Sequence, residues 1–195
     1  MDADNVSPVG NADSHGSQAA LKTLVRRQVQ YLTGVSARPF RFDLHDFQPV
    51  LQPKVLRDKG KADLGTEEAD REGLSVRVTS LERTLVDVLD RPDLGGGYEE
   101  IWRSLESVEF LDLDKVIRYA LLLNDATTVA KVGYFLDQHR DLLMVEDKHL
   151  KPLRRRSPNK PQYLDRRRKA PVRFVPAWNL VVPRALAERV WQEVE

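Results

Sequence analysis

The chain has 195 residues, 41% hydrophobic and 31% charged, with no cysteine; that is enough for a core of its own beneath a heavily charged surface. Without cysteine, disulfides, thiolate nucleophiles and thiolate zinc sites are all excluded, and no run of about 18 apolar residues is present to span a membrane. The net charge of +1 hides an asymmetry, because thirteen basic residues face four acidic ones from Lys148 to Glu195, a balance of +9 that leaves −8 for residues 1–147. Such a directional field suits a polyanion or an acidic protein surface.

Residues 1–28 read as a flexible N-terminal tail rich in Asp, Asn, Ser and Gly, with a short helix expected at 19–27. The opening MDADNVSPVGNADSHGSQAA has neither the basic nor the apolar region of a secretory signal, so a cytoplasmic location is expected. Val29, Tyr31 and Leu32 suggest a first strand. Phe40, Phe42 and Leu44, alternating with Arg41 and Asp43, suggest a second, and Gly34, Ser36 and Pro39 suit a turn between them. Residues 56–73, LRDKGKADLGTEEADREG, are almost entirely charged or turn-forming and read as a solvated loop or insertion.

Val76 and Val78 then alternate with polar neighbours as a half-buried strand does. Thr79 is the expected N-cap of the next helix, with Glu82 three residues on completing a capping box. Leu81, Leu85, Val88 and Leu89 share the buried face of that helix, and Pro92 with Gly95, Gly96 and Gly97 ends it. Tyr98, Ile101, Trp102 and Leu105 make an apolar stripe. Asp112 caps a helix burying Leu113, Val116, Ile117, Ala120 and Leu121. Val129, Val132, Gly133 and Leu136 mark another, with Gly133 placed for close helix contact, and 142–153 can form one more. Pro152, Pro158 and Pro161 break the pattern. Residues 163–164, 172–175 and 178–182 look extended, and Pro183 opens a last helix burying Leu186, Val190 and Val194. Strands flanking a helical middle predict an α+β fold whose N-terminal and C-terminal strands form a mixed sheet, within one domain over 29–195.

Catalytic constellations are hard to find. His139-Arg140-Asp141-Leu142 imitates a kinase catalytic loop, but Glu146 stands where the metal-binding Asn belongs, so a charged helix end is the better reading. Gly95-Gly96-Gly97 lacks the Lys-Ser/Thr of a P-loop and reads as a connector. Asp112 and Asp114 have the D-x-D form of a magnesium site in a nucleotidyltransferase, yet the pair opens a helix, where capping accounts for it. The histidines His15, His45, His139 and His149 show no metal-binding spacing and read as surface residues. No metal and no cofactor is expected, and the chain reads as a non-enzyme. Two basic clusters remain: Arg154, Arg155 and Arg156, then Arg166, Arg167, Arg168 and Lys169, with Lys160 between them. Arginine forks match phosphate oxygens, which makes these a candidate nucleic-acid or acidic-partner surface.

The segment LERTLVDVLDRPDLGGGYEE resembles the signature of the AbiEi-type antitoxins of type IV toxin–antitoxin (abortive infection) systems, approximately P-E-R-T-L-V-D-C-L-D-R-P-x-x-x-G-G. Glu82, Arg83, Thr84, Leu85, Val86, Asp87, Leu89, Asp90, Arg91, Pro92, Gly96 and Gly97 match, while Leu81 replaces the usual Pro and Val88 the frequent Cys. The similarity continues through Asp112–Lys115, through Lys131–Leu136 against "R-L-G-x-L-L", through Tyr163-Leu164-Asp165 against "Y-L-D", and through Trp178–Pro183 against "W-N-L-x-V-P". Members usually begin with a DNA-binding winged helix. Residues 1–28 are too few for such a domain, so the resemblance is to the C-terminal antitoxin domain alone.

The resemblance implies a non-enzymatic antitoxin that counteracts a nucleotidyltransferase toxin, with or without direct contact. The alternative reading is a nucleic-acid-binding transcriptional regulator acting through the arginine clusters, and a weaker one is an orphan nucleotidyltransferase using Asp112 and Asp114. Capping, burial and termination do not require Arg83, Asp87, Asp90 or Arg91, and these are expected to form internal salt bridges that position the glycine loop.

Overall fold

The computed structural model describes residues 28–71, 73–105, 108, 110–165 and 171–188. The helix expected at 19–27, the cluster Arg166–Lys169, and Val190 and Val194 lie outside the described residues. The chain divides into two compact units, residues 1–50 and 51–195.

The first unit carries strands β1 (Gln28–Thr33), β2 (Phe40–Phe42) and all but the last residue of β3 (His45–Leu51), in the order β1-β3-β2. β2 is shorter than its alternation suggests because Asp43 turns into the left-handed region (φ 52°). The resulting two-residue loop pairs Phe42 with His45. The chain thus runs into β3, which the sequence pattern hid behind Asp46 and Pro49. Phe40 stacks on Phe47 at 4.7 Å and tilts against Tyr31.

The second unit opens with helix α1 (Lys54–Asp58) and a hairpin of β4 (Thr66–Arg71) and β5 (Leu74–Thr79). The stretch 56–73 is therefore not a simple loop. Leu56 is fully buried, and the charged residues 66–71 form a strand closed by Gly73 at φ 83°. Both faces of the arm are largely exposed, which is why no apolar alternation announces it.

Six further helices follow: α2 (Leu81–Asp90), α3 (Tyr98–Leu105), α4 (Leu113–Leu123), α5 (Ala126–Gln138), α6 (Asp147–Arg154) and, after the last strands, α7 (Arg184–Glu188). The caps of α4 and α5 are Asp112 and Asp125, which accept hydrogen bonds from the amides of Lys115 at 3.0 Å and Thr128 at 2.7 Å. The cap of α2 is Ser80 rather than Thr79; its hydroxyl accepts from the Arg83 amide, while Thr79 pairs with the Thr84 hydroxyl at 2.7 Å. α2 is also buried more widely than one face. Leu85, Val86 and Leu89 are inaccessible, Arg83 and Asp87 nearly so, and Leu81 is exposed. Pro152 sits inside α6 instead of ending it.

The α3 stripe is buried as expected, with Trp102 edge-on to Phe135 at 5.3 Å. Gly133 admits a close neighbour, but that neighbour is the Trp178 ring from a 3-10 turn (Pro176–Trp178), not a helix. His139 is buried, its Nδ1 2.8 Å from the Phe135 carbonyl oxygen, and His149 accepts from the Glu146 amide at 3.0 Å to close the start of α6. Neither is an ordinary surface histidine.

Strands β6 (Gln162–Tyr163), β7 (Val172–Val175) and β8 (Leu180–Pro183) form a small mixed sheet, β6 parallel and β7 antiparallel to β8. The α+β class and the helical middle hold. Among the described residues the strands form three sheets, of which the C-terminal one is mixed. Among the described residues no helix is long and apolar enough to cross a membrane.

Candidate functional site

The first half of the 82–97 segment is structural. Arg83 is 1% exposed. Its Nη1 donates to the carbonyls of Ala62 at 3.0 Å and Leu64 at 2.7 Å, and its Nε to Asp87 Oδ2 at 3.4 Å. The Tyr119 hydroxyl donates to the other Asp87 oxygen at 2.7 Å. Burial pushes the Asp87 carboxyl up, against the pull of the Tyr119 hydroxyl, Arg83 and Arg91. Arg83 and Asp87 thus pair internally as expected, but the loop that Arg83 clamps is 62–65 and not the glycine loop at 95–97, and Asp90 and Arg91 form no salt bridge among the described residues. Gly65 (φ 66°) gives the guanidinium stem room, since a Cβ there would lie 3.0 Å from Arg83 Cβ.

Glu82 reaches outward, accepting from the Asp112 amide at 3.3 Å. Partial burial acts to raise its pKa, but hydrogen bonds from its own amide, the Ser80 hydroxyl and the Asp112 amide, with Lys115 nearby, hold it below the ordinary range. A depressed carboxylate contributes stability above its unfolded pKa and loses it as pH falls through the folded value. The expected result is a melting temperature whose decline below roughly pH 4 is shallower in Glu82→Gln than in the parent. Equal declines would dismiss the clamp.

The second half of the segment opens onto a cleft of about 680 Å³. A 3-10 turn (Pro92–Gly95) follows α2, and Gly96 (φ 80°) and Gly97 (φ 102°) reverse the chain into α3. The Gly97 amide donates to the Pro92 carbonyl at 2.8 Å. Across from this turn stand Lys131 of α5, Tyr163, Leu164 and Asp165 at β6, and Pro183 and Leu186 at the start of α7. Asp90 accepts from the Thr128 hydroxyl, and its carbonyl accepts from Lys131 Nζ at 3.3 Å. Arg91 Nη1 donates to the Leu51 carbonyl at 3.1 Å.

Two side chains in this wall carry polar atoms without a hydrogen bond among the described residues. The Tyr98 hydroxyl is buried with no hydrogen bond, as are Nε and Nη2 of Arg91. Burial, reinforced by the carboxylates of Asp165, Asp90 and Asp93, drives the Tyr98 pKa far upward, so the phenol stays protonated. Four carboxylates, Asp90, Asp93, Glu99 and Asp165, line the cleft against two cations, Arg91 and Lys131. Among the described residues no three His, Asp or Glu side chains are grouped to hold a metal ion.

The chain matches no family model, no curated protein and no solved structure.

The basic surface read from the sequence is divided. Arg154 is engaged, lying 3.7 Å from Asp137, 3.9 Å from Asp147 and 5.4 Å from the Trp178 ring centroid. Arg155, Arg156 and Lys160 are exposed, with no ion pair among the described residues. Arg166, Arg167, Arg168 and Lys169 lie outside them. Asp112 is occupied as the α4 cap, and His139-Arg140 ends α5, with Arg140 bonded to Asp137 at 2.6 Å and Asp147 at 3.0 Å.

The cleft was not legible as such. Tyr98 fits an apolar stripe, and Lys131 sits on a helix whose other buried residues are mostly apolar. Only the coincidence of a tyrosine hydroxyl with that stripe hinted at a buried polar group needing a partner.

Proposed function

We propose that this chain is a non-enzymatic, antitoxin-like protein of a type IV toxin–antitoxin system that acts in the cytoplasm to counteract a nucleotidyltransferase toxin. The observation that carries the reading is convergence. Asp90, Arg91, Pro92, Gly96 and Gly97, Lys131, Tyr163 to Asp165, and Pro183 come from four separate pieces of the resemblance, and all line one cleft. Chance matches scattered along a chain have no physical reason to meet, whereas residues retained for one site do. Co-expression with the nucleotidyltransferase encoded beside it is expected to restore growth. Soluble full-length chain that leaves growth arrested would overturn the reading.

A contact with DNA is a second reading, favoured by the exposed Arg155, Arg156 and Lys160. Each neutralised phosphate contributes about −0.9 to the slope of log K against log salt. Replacing these three residues by Ala is therefore expected to flatten the slope by roughly 2 to 3, measured by fluorescence anisotropy on duplex DNA. An unchanged slope removes the DNA reading and leaves the antitoxin reading standing.

A further inference from the structure

We propose that the outward face of the β6-β8-β7 sheet is a stacking platform for single-stranded nucleic acid, with Tyr163 and Phe174 each taking one base. In β8, Leu180 and Val182 are fully buried, so by strand alternation Val181 belongs to the opposite face. Val181 is paired on one side with Tyr163 of β6 and on the other with Phe174 of β7. One row across three strands therefore reads Tyr, Val, Phe. Its two aromatic residues lie two strand spacings apart, about 10 Å. Tyr163 is 52% exposed and Phe174 45%.

The solvent face of a small sheet is ordinarily polar, so two aromatic side chains held open in one row mark an interaction surface. Charge decides the occupant. Lys160, three residues before Tyr163, and Arg173, next to Phe174, are both exposed and form no ion pair among the described residues. Arg173 alternates with Phe174, but β7 is an outermost strand, which leaves Arg173 at the rim of the sheet, where a sugar-phosphate backbone would pass. Arg155 and Arg156, which lead into Lys160, are exposed as well. The acids of the described part of 155–188 are engaged: Glu188 pairs with Arg184 at 2.9 Å, and Asp165 has a partner of its own.

Free cations beside flat apolar rings suit a ligand that alternates phosphates with aromatic faces. An acidic peptide would answer the cations and leave the rings unused. A nucleic-acid strand answers both, since every base has a π-face and every nucleotide a phosphate. A duplex keeps its base faces within its own stack, so the rings select single strands. This separates the platform from the duplex contact read from Arg155, Arg156 and Lys160.

The test is fluorescence anisotropy of fluorescein-labelled oligo(dT) and oligo(U) of about 12 nucleotides, within the span of a single-strand site, titrated with the full chain beside a duplex of the same length. Both single strands are expected to bind saturably and more tightly than the duplex, the tighter of the two naming the preferred sugar. Tyr163→Ala and Phe174→Ala are each expected to weaken binding about five-fold or more, the loss for one stacked base. Tyr163→Leu and Phe174→Leu, which keep apolar bulk without the ring, are expected to show a similar loss, and Tyr163→Phe to keep the affinity. Arg173→Ala is expected to flatten the slope of log K against log salt by about 0.7, the single-strand value per phosphate. No saturable binding of either single strand, binding of the duplex as tight as theirs, or affinity unchanged in the alanine and leucine variants would each overturn the proposal. A concentration-dependent dimer in sedimentation, lost in Phe174→Ala, would assign the face to a second copy and overturn it too. The duplex reading fails separately, on an unchanged duplex slope in the Arg155, Arg156 and Lys160 variant, whatever the rings do.

Discussion

Replacing Arg83 by Ala is expected to cost about 3–5 kcal/mol of folding stability, the range for removing one partner of a buried ion pair. Three losses combine. The carbonyls of Ala62 and Leu64 lose their donor, Asp87 keeps only the Tyr119 hydroxyl and a distant Arg91, and the guanidinium's packing over the Tyr119 ring at 5.8 Å disappears. The measurement is urea unfolding, with the midpoint converted through an unchanged m value. Arg83→Met combined with Asp87→Leu is expected to recover most of the loss, since an apolar pair leaves no orphan charge. A loss below about 1 kcal/mol for Arg83→Ala, the level of an exposed pair, would show that the clamp on 62–65 contributes little.

The second large effect is at Gly133 and Trp178. Glycine within a helix ordinarily costs about 1 kcal/mol relative to Ala, so Gly133→Ala would stabilise an isolated α5. In the folded chain the sign reverses. A Cβ at 133 would sit well inside contact distance of Trp178 Cζ3, Cη2 and Cε3, the last at 2.7 Å. The ring cannot yield, because it is fully buried and tethered through Nε1 to Asp137 Oδ2 at 2.9 Å. Gly133→Ala is therefore expected to destabilise by about 2–3 kcal/mol through overpacking, and Trp178→Ala by about 3–5 kcal/mol through the cavity it leaves. The two changes should not add. With the ring gone the new methyl has space, so the double variant should be no less stable than Trp178→Ala alone. Strict additivity in denaturant unfolding would mean that the two residues do not meet as described.

These two sites illustrate how differently parts of the chain could be read. Asp112 as a cap, the Tyr98–Leu105 stripe and the glycine connector depend on residues within one or two helical turns, so their patterns survive in a linear string. The Ser80 cap shows the limit of that reading. Thr79 and Ser80 are equally good caps by composition, and the choice falls to Ser80 because Thr79 ends a strand paired to Thr66. The β4 arm was missed because a strand exposed on both faces carries no hydrophobic period. Arg83 and Asp87 were recognised as residues that capping and burial leave unexplained. Their partners lie far away in sequence at Ala62, Leu64 and Tyr119, which no local spacing encodes.

For the candidate site, the residues were mostly visible and their assembly was not. Asp90, Arg91, Pro92, Gly96, Gly97 and Tyr163 to Asp165 are all prominent in the sequence, but as separate pieces. The buried Tyr98 hydroxyl, without a hydrogen bond among the described residues, and the cleft beside it exist only once α2, α3, α5, β6 and the start of α7 are packed together.

The sequence by itself therefore determined the α+β class, the helical middle, the Asp112 cap and the resemblance to an antitoxin family. Each of these is written in short-range periodicity or in residue identity. Only the tertiary structure decided which charges are used up internally and which are left to face a partner. Burial and hydrogen-bond satisfaction are properties of neighbours in space, and a linear chain does not specify its neighbours until it folds.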